Sequence, residues 1–142
     1  MSTGQITVTA TPAEVAAALA DLSAMVEWSG AAAVTVIERD DAGRPTRARW
    51  RESYGPLRDE FVLQYKWAPD GVSWWLLEGR ILKRENGRYQ LDALGGGRTR
   101  VTYSLEIGIG MPVPACIRRR VESILIEATL KALKNQALKT RP

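Results

Sequence analysis

Few residue types in this chain could do chemistry, and Glu52 stands out among them. It sits in the alternating stretch from Thr46 to Tyr54, on the face of Ala48, Trp50 and Tyr54 and opposite Arg47, Arg49 and Arg51. A carboxylate on an apolar face is costly to bury unpaired. Glu52 is therefore a candidate anchor for a ligand hydroxyl, or a general acid/base. It could equally lie at a wet rim where Gly55-Pro56 bends the strand, or pair with an arginine. Glu78, on the face of Trp74 and Leu76, is a second candidate, and two carboxylates near one pocket would suit acid/base work. The chain has no histidine and one cysteine, Cys116. That removes the usual zinc, copper and haem sites together with Ser-His-Asp and Cys-His catalysis, and neither metal nor cofactor is expected. Cys116 reads as a small buried hydrophobe.

The second chemical feature is aromatic. Five of the ten aromatic residues are tryptophan. Alternation places Trp50, Glu52, Tyr54, Phe61, Leu63, Tyr65 and Trp67 on inward faces, joined later by Trp74, Leu76, Tyr103, Leu105 and Ile107. A core built only for stability would favour Val, Ile and Leu. Buried Tyr and Trp need partners for their O–H and N–H groups, and an apolar pocket with a few placed polar groups is the usual form of a small-molecule site. These strand residues other than Trp67 and Ile107, with Val121, Ile124, Leu125 and Ala128 from the last helix, are the expected ligand-binding set. The alternative is an ordinary core whose polar tips reach backbone or water.

The elements that must position these residues follow from periodicity. Gln5 to Thr9 alternates as a short strand. Thr11-Pro12-Ala13-Glu14 has the form of a capping box and opens a helix, and a second short helix runs from Asp21 or Ser23 to about Gly30. From Ala33 the period falls to 2. Turn clusters at 40–45, 68–71 and 95–97 separate strands, and Asn86-Gly87 is expected to be a hairpin turn. Gly95-Gly96-Gly97 precedes a strand, not a helix, which is the wrong context for phosphate binding. Short connections predict an antiparallel meander. The chain closes with a long helix from Pro114 to about Leu138. At 100° per residue it carries two apolar lines: Ile117, Val121, Ile124, Ala128 and Ala132, and nearly opposite, Ile126, Leu130, Leu133 and Ala137. Two lines predict enclosure on two sides, by the sheet and by the short helices or a second subunit. A line left exposed would be a homodimer or membrane contact.

Several phrases along this order of elements resemble the polyketide cyclase/dehydrase and lipid-transport family, within the START-like, helix-grip superfamily. They include Ala10-Thr11-Pro12-Ala13-Glu14-Val15, Glu27-Trp28 and Gly55-Pro56-Leu57-Arg58-Asp59. Further on come Trp74 with Leu76-Leu77-Glu78-Gly79, Gly87-Arg88-Tyr89-Gln90-Leu91 and Thr99-Arg100-Val101-Thr102-Tyr103. The resemblance implies an α+β helix-grip fold over residues 1–142. Its seven-stranded antiparallel sheet curves around the C-terminal helix, with two short helices after the first strand and a hydrophobic cavity inside. The superfamily includes lipid and sterol carriers, aromatase/cyclases, ubiquinone-binding chaperones and ribosome-associated toxins, so its fold does not fix an activity.

The expected function is therefore binding of a small hydrophobic molecule, a lipid, polyketide or quinone-like compound, as carrier or sensor. One alternative is a polyketide aromatase/cyclase or dehydratase using Glu52 and cavity tyrosines. Another is a ribosome-associated, toxin-like module meeting its partner through Arg47, Arg49 and Arg51. With 20 Lys and Arg against 16 Asp and Glu, the net charge is +4. Spread over solvated strand faces, that charge gives no reason to expect nucleic acid. Arg118-Arg119-Arg120 lies at the helix end that disfavours cations. The cluster is read as solvated, with Glu122 as the i+4 partner of Arg118 and peripheral membrane contact as the alternative. No run reaches the ~18 apolar residues of a membrane span, and a cytoplasmic protein is expected.

Overall fold

The structure is a computed structural model that describes residues 1–29, 31–54 and 56–140. Its elements are β1 (Ser2–Val8), α1 (Pro12–Ala20), α2 (Leu22–Ser29), β2 (Ala33–Arg39), β3 (Pro45–Tyr54) and β4 (Leu57–Ala68). They continue with β5 (Gly71–Gly79), β6 (Leu82–Gly95), β7 (Arg98–Ile109) and α3 (Ala115–Thr140). The seven strands form one antiparallel sheet in the order β1-β7-β6-β5-β4-β3-β2. Only β1 lies out of sequence order, and it reaches β7 because α1 and α2 carry the chain across the sheet's open side. The expected α+β helix-grip fold is the one observed.

Local chemistry sets the joints. Thr11 Oγ1 accepts from the Glu14 amide while Glu14 Oε1 accepts from the Thr11 amide, completing the capping box of α1. Asp21 Oδ1 accepts from the Ala24 amide and caps α2. The Gly95-Gly96-Gly97 turn has positive φ at all three residues, a conformation that costs glycine little.

Two expected turns and faces differ. Asn86-Gly87 is not a hairpin turn but lies inside β6, where Gly87 pairs with Trp74 of β5 and Leu105 of β7. The turn is made earlier, around Arg80 and Ile81. There the buried Asp59 carboxylate accepts from the amides of Ile81 and Leu82 as well as Glu60. Those bonds fix the β5–β6 connection and release Asn86-Gly87 to pair as strand. In β5 the register slips between Val62 and Leu63, which pair with Glu78 and Leu76, so Leu77 is an extra residue. That bulge reverses the alternation beyond it. Glu78 is thereby turned to the outer face.

The last helix meets the sheet along one line. Ile126, Leu130 and Leu133 are buried, and α3 packs on β1 and β7. The side chain of Ala137 lies outside the described residues. A Cβ at Gly4 would lie 2.6 Å from Ile126 Cγ2, so the glycine allows β1 and α3 to approach closely. The opposite line is not enclosed: Ile117, Val121 and Ile124 are exposed, as is Leu125 beside them. Cys116 is also exposed rather than buried, because the first turn of α3 precedes the segment that touches the sheet. Glu122 does not face Arg118. It is 1% exposed, its Oε1 accepting from Ser2 Oγ and its Oε2 from the Ile107 amide, both at 2.8 Å. Pairing of β1 with β7 ends at Ser2 and Leu105. Glu122 thus supplies an acceptor for β7 where the neighbouring strand has run out.

Replacing Glu122 by Ala leaves the half-buried Ile107 amide without this acceptor and opens a void at a fully buried position, and the unfolding free energy should fall by about 3 kcal/mol. Urea denaturation measures the fall. A loss within experimental error would show that the helix tether is not structural.

Candidate functional site

A cavity of about 510 Å³ lies between the concave face of the sheet and α3, within the range of ~300–1,000 Å³ common for small-molecule sites. Most of its wall is apolar and aromatic. Trp50, Glu52, Phe61, Leu63, Tyr65, Trp74, Tyr103 and Leu105 of the expected set line it, with Val121 and Leu125 of α3. Trp67 and Ile107 line it too. Val121, Leu125 and Ile109 keep about 40% exposure while lining it, so the cavity opens to solvent between α3 and the end of β7.

Other expected residues fall elsewhere. Leu76 is half-buried against the core but does not line the cavity. Ile124 and Ala128 are exposed on the outer side of α3, because the helix turns the line of Ile126 and Leu130 inward and the edge of Val121, Leu125 and Thr129 toward the cavity. The side chain of Tyr54 lies outside the described residues. Glu78 is out of the site altogether, since the β5 bulge leaves it exposed beside Arg49 on the convex face, Oε1 to Nη2 3.5 Å. Arg49 also pairs with Glu60, and Arg47 with Glu38. On the basic strand face, Arg47 and Arg49 are therefore interleaved with carboxylates.

The site's centre is Trp74. Its ring lies flat over Gly87, where a Cβ would come within 2.1 Å of Cε2 and Cζ2. Around it stand Tyr89, Tyr103 and Tyr65, with ring centroids 5.1, 5.8 and 6.2 Å away. Tyr89 and Tyr103 pack tilted against each other, with ring centroids 4.5 Å apart. Trp50 Nε1 donates to Tyr65 Oη at 2.7 Å, and Trp67 Nε1 donates to the Pro45 carbonyl at 2.8 Å. Burial raises the pKa of Tyr65, Tyr89 and Tyr103, so all three remain neutral phenols able to donate.

Trp74 Nε1 donates to Glu85 Oε2 at 2.7 Å. Sequence reading missed Glu85, having placed a turn at the next two residues. The signal was present: Leu91 and Tyr89 alternate inward, and extending that face back through Gly87 reaches Glu85. It is half-buried, and it lines the cavity. Burial is the main cause that pushes its carboxyl up to about 7; the Trp74 hydrogen bond opposes the shift, while Glu52 and Asp59 add to it. Glu52, also in the cavity, is raised by burial and secondarily by Asp59. Glu52 has no hydrogen-bond or ion-pair partner among the described residues. Asp59 has both oxygens occupied by backbone amides and plays a structural part. The site therefore joins two carboxyls of raised pKa and three neutral phenols in an apolar space, with Glu85 suited to donating or accepting protons near neutral pH.

An acid raised on folding stabilises the protein fully only below its unfolded value. The contribution is lost as pH rises through the folded value, because the unfolded chain then ionises more readily. For Glu85 the window runs from about 4.5 to about 7. Glu85→Gln keeps an acceptor for Trp74 and removes the ionisation. Relative to this variant, the wild type should lose on the order of 3 kcal/mol of stability between pH 4.5 and 7.5. Parallel denaturation curves for the two proteins would contradict the assignment.

Comparison with known proteins agrees with this geometry. A START superfamily protein from Mycobacterium smegmatis superposes with a TM-score of 0.90 at 18% identity, covering 98% of this chain and 97% of that one. A Thermus thermophilus protein gives 0.80 at 20% identity, covering 99% and 98%. The Zhui aromatase/cyclase from a Streptomyces species gives 0.73 at 16% identity, covering 96% and 92%. At such identities these likenesses concern the fold. No curated protein matches the sequence. Residues 2–138, however, match the family described as polyketide cyclase / dehydrase and lipid transport. A cavity between a gripping sheet and a long helix, and a family match along nearly the whole chain, lead to one conclusion: this chain belongs to the polyketide cyclase/dehydrase and lipid-transport family.

Proposed function

We infer that the protein binds a small hydrophobic molecule, a lipid, polyketide or quinone-like compound, in the cavity between the sheet and α3. The observation that carries this reading is the cavity itself. Its walls are aromatic and aliphatic, and its few polar groups converge near Trp74. A chain under selection for stability alone gains from filling such a space, since voids forfeit dispersion contacts. A molecule that fits here would bury most of its surface while reaching Glu52, Glu85 or a phenol with one polar group.

A second reading, acid/base catalysis on a polyketide-like substrate, is supported by Glu85. A carboxyl poised near neutrality can both give and take a proton at physiological pH, and Tyr65, Tyr89 and Tyr103 stay protonated as donors to a developing enolate oxygen. In this reading Glu85 joins Glu52 as the acid/base pair in place of Glu78.

Native mass spectrometry of the freshly purified protein should show a co-purified apolar mass, and polarity-sensitive dyes should quench the tryptophans. Ile107→Trp, which projects a larger ring from a half-buried position into the cavity, should weaken dye binding at least ~10-fold with the circular dichroism spectrum unchanged. Undiminished binding would move the ligand out of this cavity. For catalysis, a synthetic poly-β-ketone thioester should cyclise faster than its spontaneous background, with the excess falling ~100-fold in Glu85→Gln, in keeping with the loss of one acid/base group. A rate equal to background would remove the catalytic reading and leave the binding one.

A further inference from the structure

The cavity's charged groups all have one sign. Glu52, Asp59 and Glu85 line it, and among the described residues no lysine or arginine does. This is unexpected in a chain of net charge +4. Arg44 comes close, with its guanidinium 5.5 Å from the Trp67 ring, but it is held outside the cavity by Asp40. Glu85 has one oxygen on Trp74. Its other oxygen, Oε1, is like Glu52 in having no hydrogen-bond partner among the described residues. Beside these carboxyls stand the faces of Trp74, Tyr89 and Tyr103, which together offer a negative π-surface. Unpaired carboxylates and aromatic rings lining one cavity share one complementary partner, an organic cation.

We propose that the cavity selects apolar molecules bearing a protonated amine, whose ammonium sits between Glu52 and Glu85 against the Trp74–Tyr89–Tyr103 cluster. This rests on the reading of the cavity as a small-molecule site and narrows the chemical class it takes. A carboxylate ligand is disfavoured, since it would bring a third unpaired negative charge into a space with no cation to meet it. A neutral alcohol can donate one hydrogen bond but leaves the two carboxyls mutually repelling once ionised. An ammonium satisfies both, and apolar surroundings strengthen the attraction. It would also draw the Glu85 carboxyl toward its ionised form, reversing the effect of burial noted above.

The groups facing Glu85 come from every side of the cavity. β3 presents Glu52, β4 presents Asp59 and Tyr65, β5 presents Trp74, β6 presents Tyr89 and β7 presents Tyr103. Among the described residues the helices contribute Leu19, Met25, Val121, Leu125 and Thr129, and no ionisable group. Over the range pH 6 to 8 Glu85 is the cavity carboxyl whose charge changes, the phenols being held neutral. Amine affinity should accordingly rise with pH through this range, while a neutral ligand's should not.

The test uses three probes on one skeleton: 1-pyrenylmethylamine, 1-pyrenylmethanol and 1-pyrenecarboxylate. Energy transfer from the protein's tryptophans to pyrene reports binding. At pH 8 the amine should bind about tenfold more tightly than the alcohol, equivalent to ~1.4 kcal/mol, and the acid more weakly than either. The amine's advantage should narrow at pH 6, and in Glu85→Gln the ratio of amine to alcohol affinity should fall toward one. The wild-type pH series decides the matter even if that variant does not fold. An alcohol that binds as tightly as the amine at pH 8, or an amine preference insensitive to pH, overturns the charge selectivity and leaves the cavity's binding function intact. If none of the three binds, both readings fall together.

Discussion

The interaction on which the site depends is the contact of the Trp74 indole with the bare backbone of Gly87. An indole needs a large surface, and the concave side of a sheet is crowded with side chains from neighbouring strands. Gly87, directly across the ladder from Trp74, leaves room beside it for the ring to lie flat. Once it lies there, its N–H is aimed at Glu85, two residues back on the same face of β6. Its ring edge sets the positions of Tyr89, Tyr103 and Tyr65. A methyl at Gly87 would collide with the ring and displace the whole arrangement.

Two buried carboxylates do structural work that leaves the others free for chemistry. Asp59 holds the β5–β6 turn through the amides of Ile81 and Leu82, and Glu122 joins α3 to β1 and β7. With their acceptors saturated, neither needs a ligand. Glu52 and Glu85, by contrast, are placed where the described residues provide one hydrogen bond between them. A fold normally avoids this arrangement, because an unpaired buried charge is costly. Such local cost is characteristic of functional sites.

Helix α3 divides its surface three ways. One edge, Ile126, Leu130 and Leu133, locks to β1 and β7. The next, Val121, Leu125 and Thr129, faces the cavity. The remaining line, with Ile117 and Ile124, is exposed. Two apolar lines on a helix suggest two packed sides. Here a cavity takes up much of the space the second side would have filled, so its wall residues are apolar and yet incompletely buried.

Much was legible from sequence because it rests on local or periodic rules. Capping chemistry marked α1, alternation gave the strand faces of Trp50, Phe61, Leu63, Tyr65, Tyr103 and Leu105, and the lack of histidine bounded the catalytic chemistry. Phrases spread along the chain pointed to the family. What sequence could not supply was decided by pairing between strands far apart in the chain. Whether Asn86-Gly87 turns or extends depends on Asp59, more than twenty residues away, whose carboxylate fixes the connection instead. Whether Glu78 faces in or out depends on a single extra residue in β5, and a slip of one residue exchanges the two faces of a strand. Glu85 entered the site, and Glu78 left it, by those two events. The sequence by itself determined that there would be a gripped helix and an aromatic-walled sheet. The tertiary structure decided which carboxyls would meet inside, because only long-range register brings a residue of one strand opposite a residue of another.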